Sequence, residues 1–254
     1  MKNSKFEALS LWFLLIGLNA GCSQPVSMVS YWNEKIIRID GIDDDWEKDK
    51  MEVFDNSKIA VGIVYDKEYM YLGIAPLDRS VAMQIMNMGF TVWFDSAGNG
   101  NKILGIRYPL GMSGGLPMQP PDDKHENGHL VDVRTKKQLN EVEIIGPGRF
   151  DRTRLTQFEL TGIAVKLTHQ KEGMFYELRV PLRLSDNFPY AINATYGKPI
   201  SILLETGEFK KPEFGGGMPG GPGRRMSEDG MQMGGPPEMP KKLNVLIKTN
   251  LPAM

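Results

Sequence analysis

The sequence predicts an all-β fold, an antiparallel β-sandwich of the immunoglobulin or jelly-roll type with long disordered loops. Three observations predict this fold class. Short runs rich in β-branched and aromatic residues recur along the chain, turn-forming residues separate them, and no long stretch has the apolar period of a helix. The length of 254 residues is enough for one large domain or two small ones, with a core that needs no disulfide bonds.

The predicted strands follow one another at short intervals. They are expected at residues 37–39, 58–65, 69–75, 90–94, 103–108, 142–145, 162–167, 174–181, 200–205 and 243–248. Residues 66–68 form a loop of hairpin length, and residues 95–100 form a turn. Residues 79–88 fit either a short helix or an extended edge. Within 90–95, alternation places Phe90, Val92 and Phe94 on one side and Thr91, Trp93 and Asp95 on the other.

Two polar segments rich in Gly and Pro interrupt the pattern, at residues 112–129 and 211–242. They contain too little bulky apolar surface to offset the entropy lost on ordering, so both are predicted to be disordered loops. The remaining residues from 35 to 254 are expected to form a single sandwich domain.

The N-terminal segment has the features of a bacterial lipoprotein signal peptide, predicted to span residues 1–21. Lys2 and Lys5 precede an apolar run at 8–18 that is too short to cross a bilayer. The run ends in Leu-Asn-Ala-Gly-Cys, which resembles a lipobox, although Asn19 departs from the usual aliphatic residue. Cys22 is therefore expected to be the lipidated first residue of the mature chain and the start of a tether over 22–34; the alternative is a buried free thiol. This predicts a membrane-anchored location in the bacterial envelope, at the outer membrane or in the periplasm.

Charge and cysteine content exclude several classes of function. Lys and Arg number 30 and Asp and Glu 31, a net charge of −1, so the chain has no overall field that would hold nucleic acid. A single cysteine excludes internal disulfides, a CxxC zinc site and covalent haem attachment.

Four short motifs point to a known family. They are the Ile-Asp-Gly turn with acidic residues and a Trp at 39–46, the hairpin at 65–72, the strand ending in Asp at 90–95, and the Glu-containing strand at 176–182. In order and spacing they resemble the family 9 carbohydrate-binding modules, over roughly residues 35–209 and the last strand. The resemblance implies an antiparallel β-sandwich, no catalysis and a glycan ligand. Trp46 is expected to be a core residue that closes one end of the sandwich.

The sugar-stacking residues of that family are not matched. No aromatic residue occurs at 84–89, where one stacking Trp of the family lies, and no Trp follows Trp93. Trp93 and Tyr108 are therefore the ligand-binding residues predicted here, as a different platform from that of the family, with Phe209 and Tyr196 as further aromatic candidates.

Three groups of residues have the chemistry of metal ligands. Asp95, Asn99 and Asn101 offer oxygen ligands of the kind that Ca²⁺ prefers, but no bidentate Glu follows at the expected distance, so a plain turn is the alternative. His125 and His129 are four apart, but the Pro and Gly residues around them oppose a helix, which favours a solvated loop. Met231 and Met233 are thioethers of a kind that binds Cu(I), or unselected residues of a loop.

The leading functional prediction is a non-catalytic envelope lipoprotein that binds a glycan and needs no cofactor. No GxSxG motif, reactive cysteine or motif-positioned carboxylate pair predicts an enzyme. The alternatives are a structural or partner-binding envelope protein without sugar binding, and a Met-rich metal-binding protein.

Overall fold

Two β-sheets packed face to face make up the part of the chain that the computed structural model describes, residues 25–111, 139–148, 151–170, 173–207 and 242–252. The strands are β1 (Val26–Ser27), β2 (Tyr31–Trp32), β3 (Met51–Phe54), β4 (Ile59–Tyr65), β5 (Tyr69–Pro76), β6 (Phe90–Asp95), β7 (Leu104–Arg107), β8 (Glu141–Ile145), β9 (Arg152–Thr156), β10 (Ala164–Gln170), β11 (Gly173–Pro181), β12 (Pro199–Thr206) and β13 (Asn244–Asn250). The predicted all-β sandwich is thereby confirmed.

The strand order separates the sheets clearly. One sheet has seven strands in the order β1-β13-β12-β6-β7-β8-β9, and the other has six, in the order β10-β11-β5-β4-β2 with β3 also paired to β4. Neighbouring strands are antiparallel except at two places, where β1 runs parallel to β13 and β2 parallel to β4. The residues between β1 and β2 therefore carry the chain from one sheet to the other.

The main core lies between the sheets and is built from alternate residues of their strands. Phe90, Val92 and Phe94 of β6 are at most 1% exposed and belong to it, as the alternation predicts. Tyr176 of β11 packs edge-on against Phe90, with ring centroids 5.1 Å apart. Each fully buried large apolar side chain contributes roughly 1.5–3 kcal/mol through removal from water, so this core supplies most of the stability.

The outer face of the six-stranded sheet is also covered. Short 3₁₀ turns at Asp43–Asp45 and Lys48–Lys50 belong to the segment that crosses it. Trp46 of this segment is 6% exposed and packs with residues such as Ile37, Tyr71 and Phe175 in a second apolar cluster. Trp46 is thus buried as predicted, but on the outside of a sheet rather than at an end of the sandwich.

Residues 79–88, whose sequence fits either a short helix or an extended edge, form a helix, α1 (Arg79–Met88). The Asp78 side chain accepts a hydrogen bond from the Ser80 backbone N–H at 2.6 Å, which satisfies one of the free donors at the helix start. Gly89 follows with φ 78° and ψ 159°, a conformation that glycine adopts readily and that ends the helix before β6 begins.

Several strands lie where the sequence pattern does not predict them. Residues 37–39 are not a strand, although Ile37 is buried, whereas β1, β2, β3 and β9 were not predicted. The strands β1 and β2 have two residues each, too few to show a period. The strand β9, Arg-Thr-Arg-Leu-Thr, is a polar edge strand without the apolar alternation of a half-buried one.

The predicted tether over 22–34 is wrong in part, because β1 and β2 lie inside it and pair with β13 and β4. Met28 and Ser30 between them are buried, so the sandwich begins near residue 26. The predicted signal peptide 1–21, Cys22 and the loop 112–129 lie outside the described residues, as does 211–241. Lys242 belongs to the described residues, and its ammonium group forms a salt bridge with Oε2 of Glu205 at 3.0 Å. No helix within the described ranges is long and apolar enough to cross a membrane.

Candidate functional site

Trp93 lies flat on the outer face of the seven-stranded sheet. It belongs to β6 and is paired in register with Gly105 of β7. A Cβ atom on Gly105 would lie 2.7 Å from Cε3 and Cζ3 of the Trp93 ring, so the missing side chain lets the ring rest on the strand. One face of the indole therefore packs against backbone, and the half-buried ring keeps part of its surface in solvent.

Glu205 of β12 fixes the edge of this ring. The indole N–H of Trp93 donates to Oε1 of Glu205 at 2.8 Å. The ammonium groups of Lys102 and Lys242 also contact this carboxylate, at 2.6 Å and 3.0 Å, and the Lys102 ammonium lies 5.4 Å from the centroid of the Trp93 ring. We call these four residues the Trp93 cluster.

The charge of Glu205 is stabilised by its partners. Burial raises the pKa of this carboxyl, but hydrogen bonds from Lys102, Lys242 and Trp93 outweigh burial and hold the pKa below its usual range. Glu205 is therefore ionised at neutral pH and accepts hydrogen bonds beside an aromatic face. The cluster offers a flat apolar surface, an acceptor and two ammonium donors within one small area.

A second polar group continues the same face toward the β9 edge. The buried carboxylate of Glu143 on β8 is contacted by Arg152 and Arg154 of β9, each at 3.3 Å, and by Arg107 of β7 at 3.8 Å. The Arg107 guanidinium also donates to the Leu110 carbonyl at 2.9 Å, which holds it against the sheet. We call these residues, apart from Leu110, the Glu143 cluster.

Cross-strand register joins the two clusters. Trp93 pairs with Gly105, Gly105 pairs with Ile145, and Ile145 pairs with Arg152, so these residues form one row across β6, β7, β8 and β9. Paired residues point to the same face of a sheet. The aromatic platform and the arginine side chains therefore belong to one continuous surface.

The six-stranded sheet has a similar arrangement around Trp46, but there the tryptophan ring is buried. Trp46 also lies over glycines, since a Cβ on Gly73 would be 2.8 Å from its ring and one on Gly62 3.0 Å from it. Its indole N–H also donates to a buried carboxylate, Oε1 of Glu177, at 2.7 Å. Trp46 is enclosed in an apolar cluster, whereas Trp93 belongs to neither of the buried apolar clusters that the described residues form.

The structure does not bring Tyr108 to this surface, which corrects its prediction as a ligand residue. Its side chain is 1% exposed and lies in the core, where its hydroxyl donates to the Leu139 carbonyl at 3.2 Å. Burial raises the pKa of Tyr108 to about 12. The aromatic alternative Tyr196 also lies apart from the surface, with its hydroxyl near the Asp66 and Lys67 carbonyls, and Phe209 lies outside the described residues.

Asp95, Asn99 and Asn101 do come together, but in a way that closes a turn. The Asp95 carboxylate is 3% exposed and accepts hydrogen bonds from the backbone N–H groups of Ala97, Asn99 and Asn101 at 2.9, 3.1 and 2.9 Å. Both asparagines are exposed and contribute backbone donors, which are partners for an anion rather than for a cation. The geometry therefore favours the plain turn over calcium ligation, and no group of His, Cys, Asp or Glu in the described ranges converges as a metal site.

The residues that sequence analysis missed are the charged partners of Trp93. Lys102 precedes β7, and Glu205 lies one strand away from Trp93, more than a hundred positions later in the chain. The alternation of 200–205 predicts that Glu205 shares a face with Leu203, but it does not predict which strand lies next to β12. Arg152 and Arg154 were missed because β9 was not recognised as a strand.

No known protein-family model matches this sequence, and no curated protein matches it. Among solved structures, two family 9 carbohydrate-binding module structures from Caldicellulosiruptor kristjanssonii are similar. One, in complex with cellotriose, is 10% identical with a TM-score of 0.35 and covers 71% of this chain and 76% of its own. The other, in complex with glucose, is 11% identical with a TM-score of 0.35, and the coverage is 72% and 78%. At this similarity no residue role is transferred, so the roles given above come from the geometry of this chain alone.

Proposed function

We propose that this chain is a non-catalytic, glycan-binding lipoprotein of the bacterial envelope, and that it binds sugar on the outer face of its seven-stranded sheet. The single observation that carries the proposal is the flat, half-buried ring of Trp93 held on Gly105. Glu205 and Lys102 surround it with hydrogen-bonding groups. The family resemblance of the sequence motifs supplies the ligand class, a glycan.

The chemistry of the Trp93 cluster suits a sugar ring. A pyranose has an apolar face of C–H groups and a rim of hydroxyls, so it requires an aromatic plane with polar groups at its edge. Glu205 accepts from hydroxyl donors, and the ammonium of Lys102 donates. The Lys102 side chain is 45% exposed, and an exposed lysine shifts away from the ring at small cost when a ligand arrives.

The test is a calorimetric titration of the purified full chain, in detergent, with a panel of neutral and acidic oligosaccharides. We expect binding to at least one glycan and a loss of affinity of about tenfold or more in Trp93→Ala, because stacking supplies much of the contact. The matched control is Trp32→Ala, since Trp32 is 38% exposed and packs against Tyr65 in the other sheet. Its affinity should equal that of the wild type.

Two results would contradict the proposal. Failure of every glycan to bind would leave the partner-binding envelope protein as the better description. Equal affinity of wild type and Trp93→Ala would move the sugar site away from this face.

The anchoring part of the proposal rests on the lipobox-like sequence before Cys22. Expression in a Gram-negative host with labelled palmitate should give a labelled protein in the membrane fraction. Cys22→Ala should remain unlabelled, because the thiol that accepts the lipid is gone. A label that persists in Cys22→Ala would show that Cys22 is not the acceptor.

A further inference from the structure

On the outer face of the seven-stranded sheet, the carboxylates are more deeply buried than the cationic side chains around them. The carboxylates of the Trp93 and Glu143 clusters are buried, with Glu205 8% and Glu143 5% exposed. The cationic side chains that contact them are more exposed, from 30% for Lys242 to 61% for Arg154. A ligand that approaches this face therefore meets cationic groups first.

The cations also outnumber the carboxylates on this face. The cationic side chains of the described residues here are Lys102, Arg107, Arg152, Arg154, Lys242 and Lys248, and the carboxylates are Asp95, Glu141, Glu143 and Glu205. Asp95 is occupied by backbone donors of its turn. The face is thus positive although the whole chain carries a net charge of −1.

The arginines at the β9 edge keep hydrogen-bonding capacity. Glu143 contacts Nη1 of Arg152 and Nε of Arg154, one donor of each guanidinium group. A guanidinium group carries five N–H donors in a planar fork that matches carboxylate and sulfate oxygens. Because more than half of each side chain is exposed, the remaining donors are accessible to an acidic group.

The distance between Trp93 and Arg152 sets a minimum length for a ligand that contacts both. Trp93 on β6 and Arg152 on β9 are separated by three strand spacings, about 14 Å at the usual interstrand distance. A monosaccharide on the Trp93 ring does not reach the arginines, whereas an oligosaccharide lying across the strands does.

We propose that the ligand is an acidic glycan, with one sugar stacked on Trp93 and a carboxylate or sulfate group of a further sugar bound by Arg152 and Arg154. This inference rests on the proposed function and adds the ligand's charge, its minimum length and a second contact point. Phosphatidylglycerol headgroups and acidic peptides, which a basic surface also attracts, have no sugar ring to stack on Trp93.

The experiment compares three tetrasaccharides on the purified full chain: tetragalacturonate, a sulfated galactan tetrasaccharide and cellotetraose. At about 50 mM salt we expect at least one acidic tetramer to bind about tenfold or more tightly than cellotetraose. The preference should shrink as salt rises, because exposed charges are screened. The comparison of the two acidic probes identifies which acidic group the arginines prefer.

Paired substitutions test the arginines directly. Arg152→Gln with Arg154→Gln should remove most of the acidic preference and leave cellotetraose affinity within about twofold of wild type. Glu143→Gln, which removes the compensating charge but keeps an acceptor, should tighten acidic binding. The control is Arg38→Gln, an arginine 64% exposed and paired to Asp45 in the segment that covers the other sheet. It should change nothing.

The outcomes separate this inference from the proposed function. If cellotetraose binds through Trp93 and no acidic probe binds more tightly, the acidic-glycan inference is wrong, whereas the proposed glycan site on this face is supported. If no tetramer binds, both fail. Polyglutamate, titrated as a fourth probe, supplies negative charge without a sugar ring. If it binds as tightly as the acidic tetramers, the surface responds to charge alone and the acidic-glycan inference is overturned.

Discussion

The indole N–H of Trp46 donates to Oε1 of Glu177, a residue of β11 that lies 131 positions later in the chain. Oε2 of the same carboxylate accepts from the backbone N–H groups of Asp40 and Gly41, at 2.9 and 2.6 Å. Glu177 is 0% exposed. One buried side chain thus fastens the whole 40–46 segment to the outside of the six-stranded sheet.

Replacing Glu177 should loosen that segment. Glu177→Gln has one acceptor oxygen where the carboxylate has two, so its amide N–H₂ faces a donor. We expect a loss of about 1–3 kcal/mol in the free energy of unfolding at pH 7, measured by urea denaturation. Glu52→Gln, at an exposed position of β3, should stay within about 0.5 kcal/mol of wild type. Equal stability of the two variants would show that Glu177 does not fasten the segment.

The two tryptophan platforms should respond differently to a methyl group beneath them. Gly73→Ala places a Cβ 2.8 Å from the Trp46 ring and 2.9 Å from Phe175, and Gly105→Ala places one 2.7 Å from the Trp93 ring. Trp46 is enclosed, so Gly73→Ala should cost about 1–3 kcal/mol. Trp93 has solvent on its outer side and can lift, so Gly105→Ala should cost less stability while it weakens glycan binding. Thermal unfolding and tryptophan fluorescence measure both effects. A larger stability loss in Gly105→Ala would contradict the open character of the Trp93 platform.

Acid should weaken the Trp93 cluster. The hydrogen bonds from Lys102, Lys242 and Trp93 hold the pKa of Glu205 below its ordinary value of 4.5 in the folded chain. A carboxyl with a lowered folded pKa contributes stability above its unfolded pKa and loses it as pH falls through the folded pKa. The stability difference between wild type and Glu205→Gln should therefore be constant from pH 7 to about 5 and shrink below pH 4.5.

The contribution of Glu177 to the free energy of unfolding should change with pH in the opposite direction. Burial raises the pKa of Glu177 above 4.5 despite its hydrogen bonds from Trp46, Gly41 and Asp40. The folded state therefore binds this proton more tightly than the unfolded state, and stability falls as pH rises from 4.5 to the raised pKa. The advantage of wild type over Glu177→Gln should be largest in acid and decrease toward neutral pH. Parallel pH profiles for the two glutamates would contradict their opposite pKa shifts.

The turn after β6 should depend on Asp95 and not on calcium. Asp95→Ala leaves three backbone N–H groups without their acceptor, and we expect a loss of about 1–2 kcal/mol in chemical denaturation. Asp95→Asn keeps one acceptor and should fall between Asp95→Ala and wild type. A chelator should leave the melting temperature of the wild type unchanged. A lower melting temperature after chelation would restore the calcium prediction for Asp95, Asn99 and Asn101.

The sheet strands were predictable where a local period marks them. The runs that became β4, β5, β6 and β11 combine β-branched or aromatic residues with clear turns, and each predicted range differs from the observed one by one residue at one end. The strands β1, β2 and β9 have no such local signal, since their pairing depends on partners far along the chain. Short or polar edge strands form because a neighbour offers unpaired backbone groups, which is a tertiary property.

The candidate site was predictable only in its aromatic member. Alternation along β6 places Trp93 opposite the core residues Phe90 and Val92, and this follows from sequence. The burial of Tyr108 also follows from alternation, since within the predicted strand 103–108 it shares a face with Leu104 and Ile106, and all three lie in the core. The pairing of Trp93 with Glu205 needs the adjacency of β6 and β12, which no local pattern encodes.

The short distance in sequence between Cys22 and β1 limits how the sandwich can be positioned at a membrane. Val26 is four residues after Cys22, and an extended chain spans at most about 14 Å over that length. The strands β1 and β9 form opposite edges of the seven-stranded sheet, six strand spacings or about 29 Å apart. A lipid on Cys22 would thus hold the β1 edge close to the bilayer and leave the β9 arginines at the far edge. The sheet itself would then be the spacer between membrane and ligand, and its width would limit how far from the lipid surface a glycan is held.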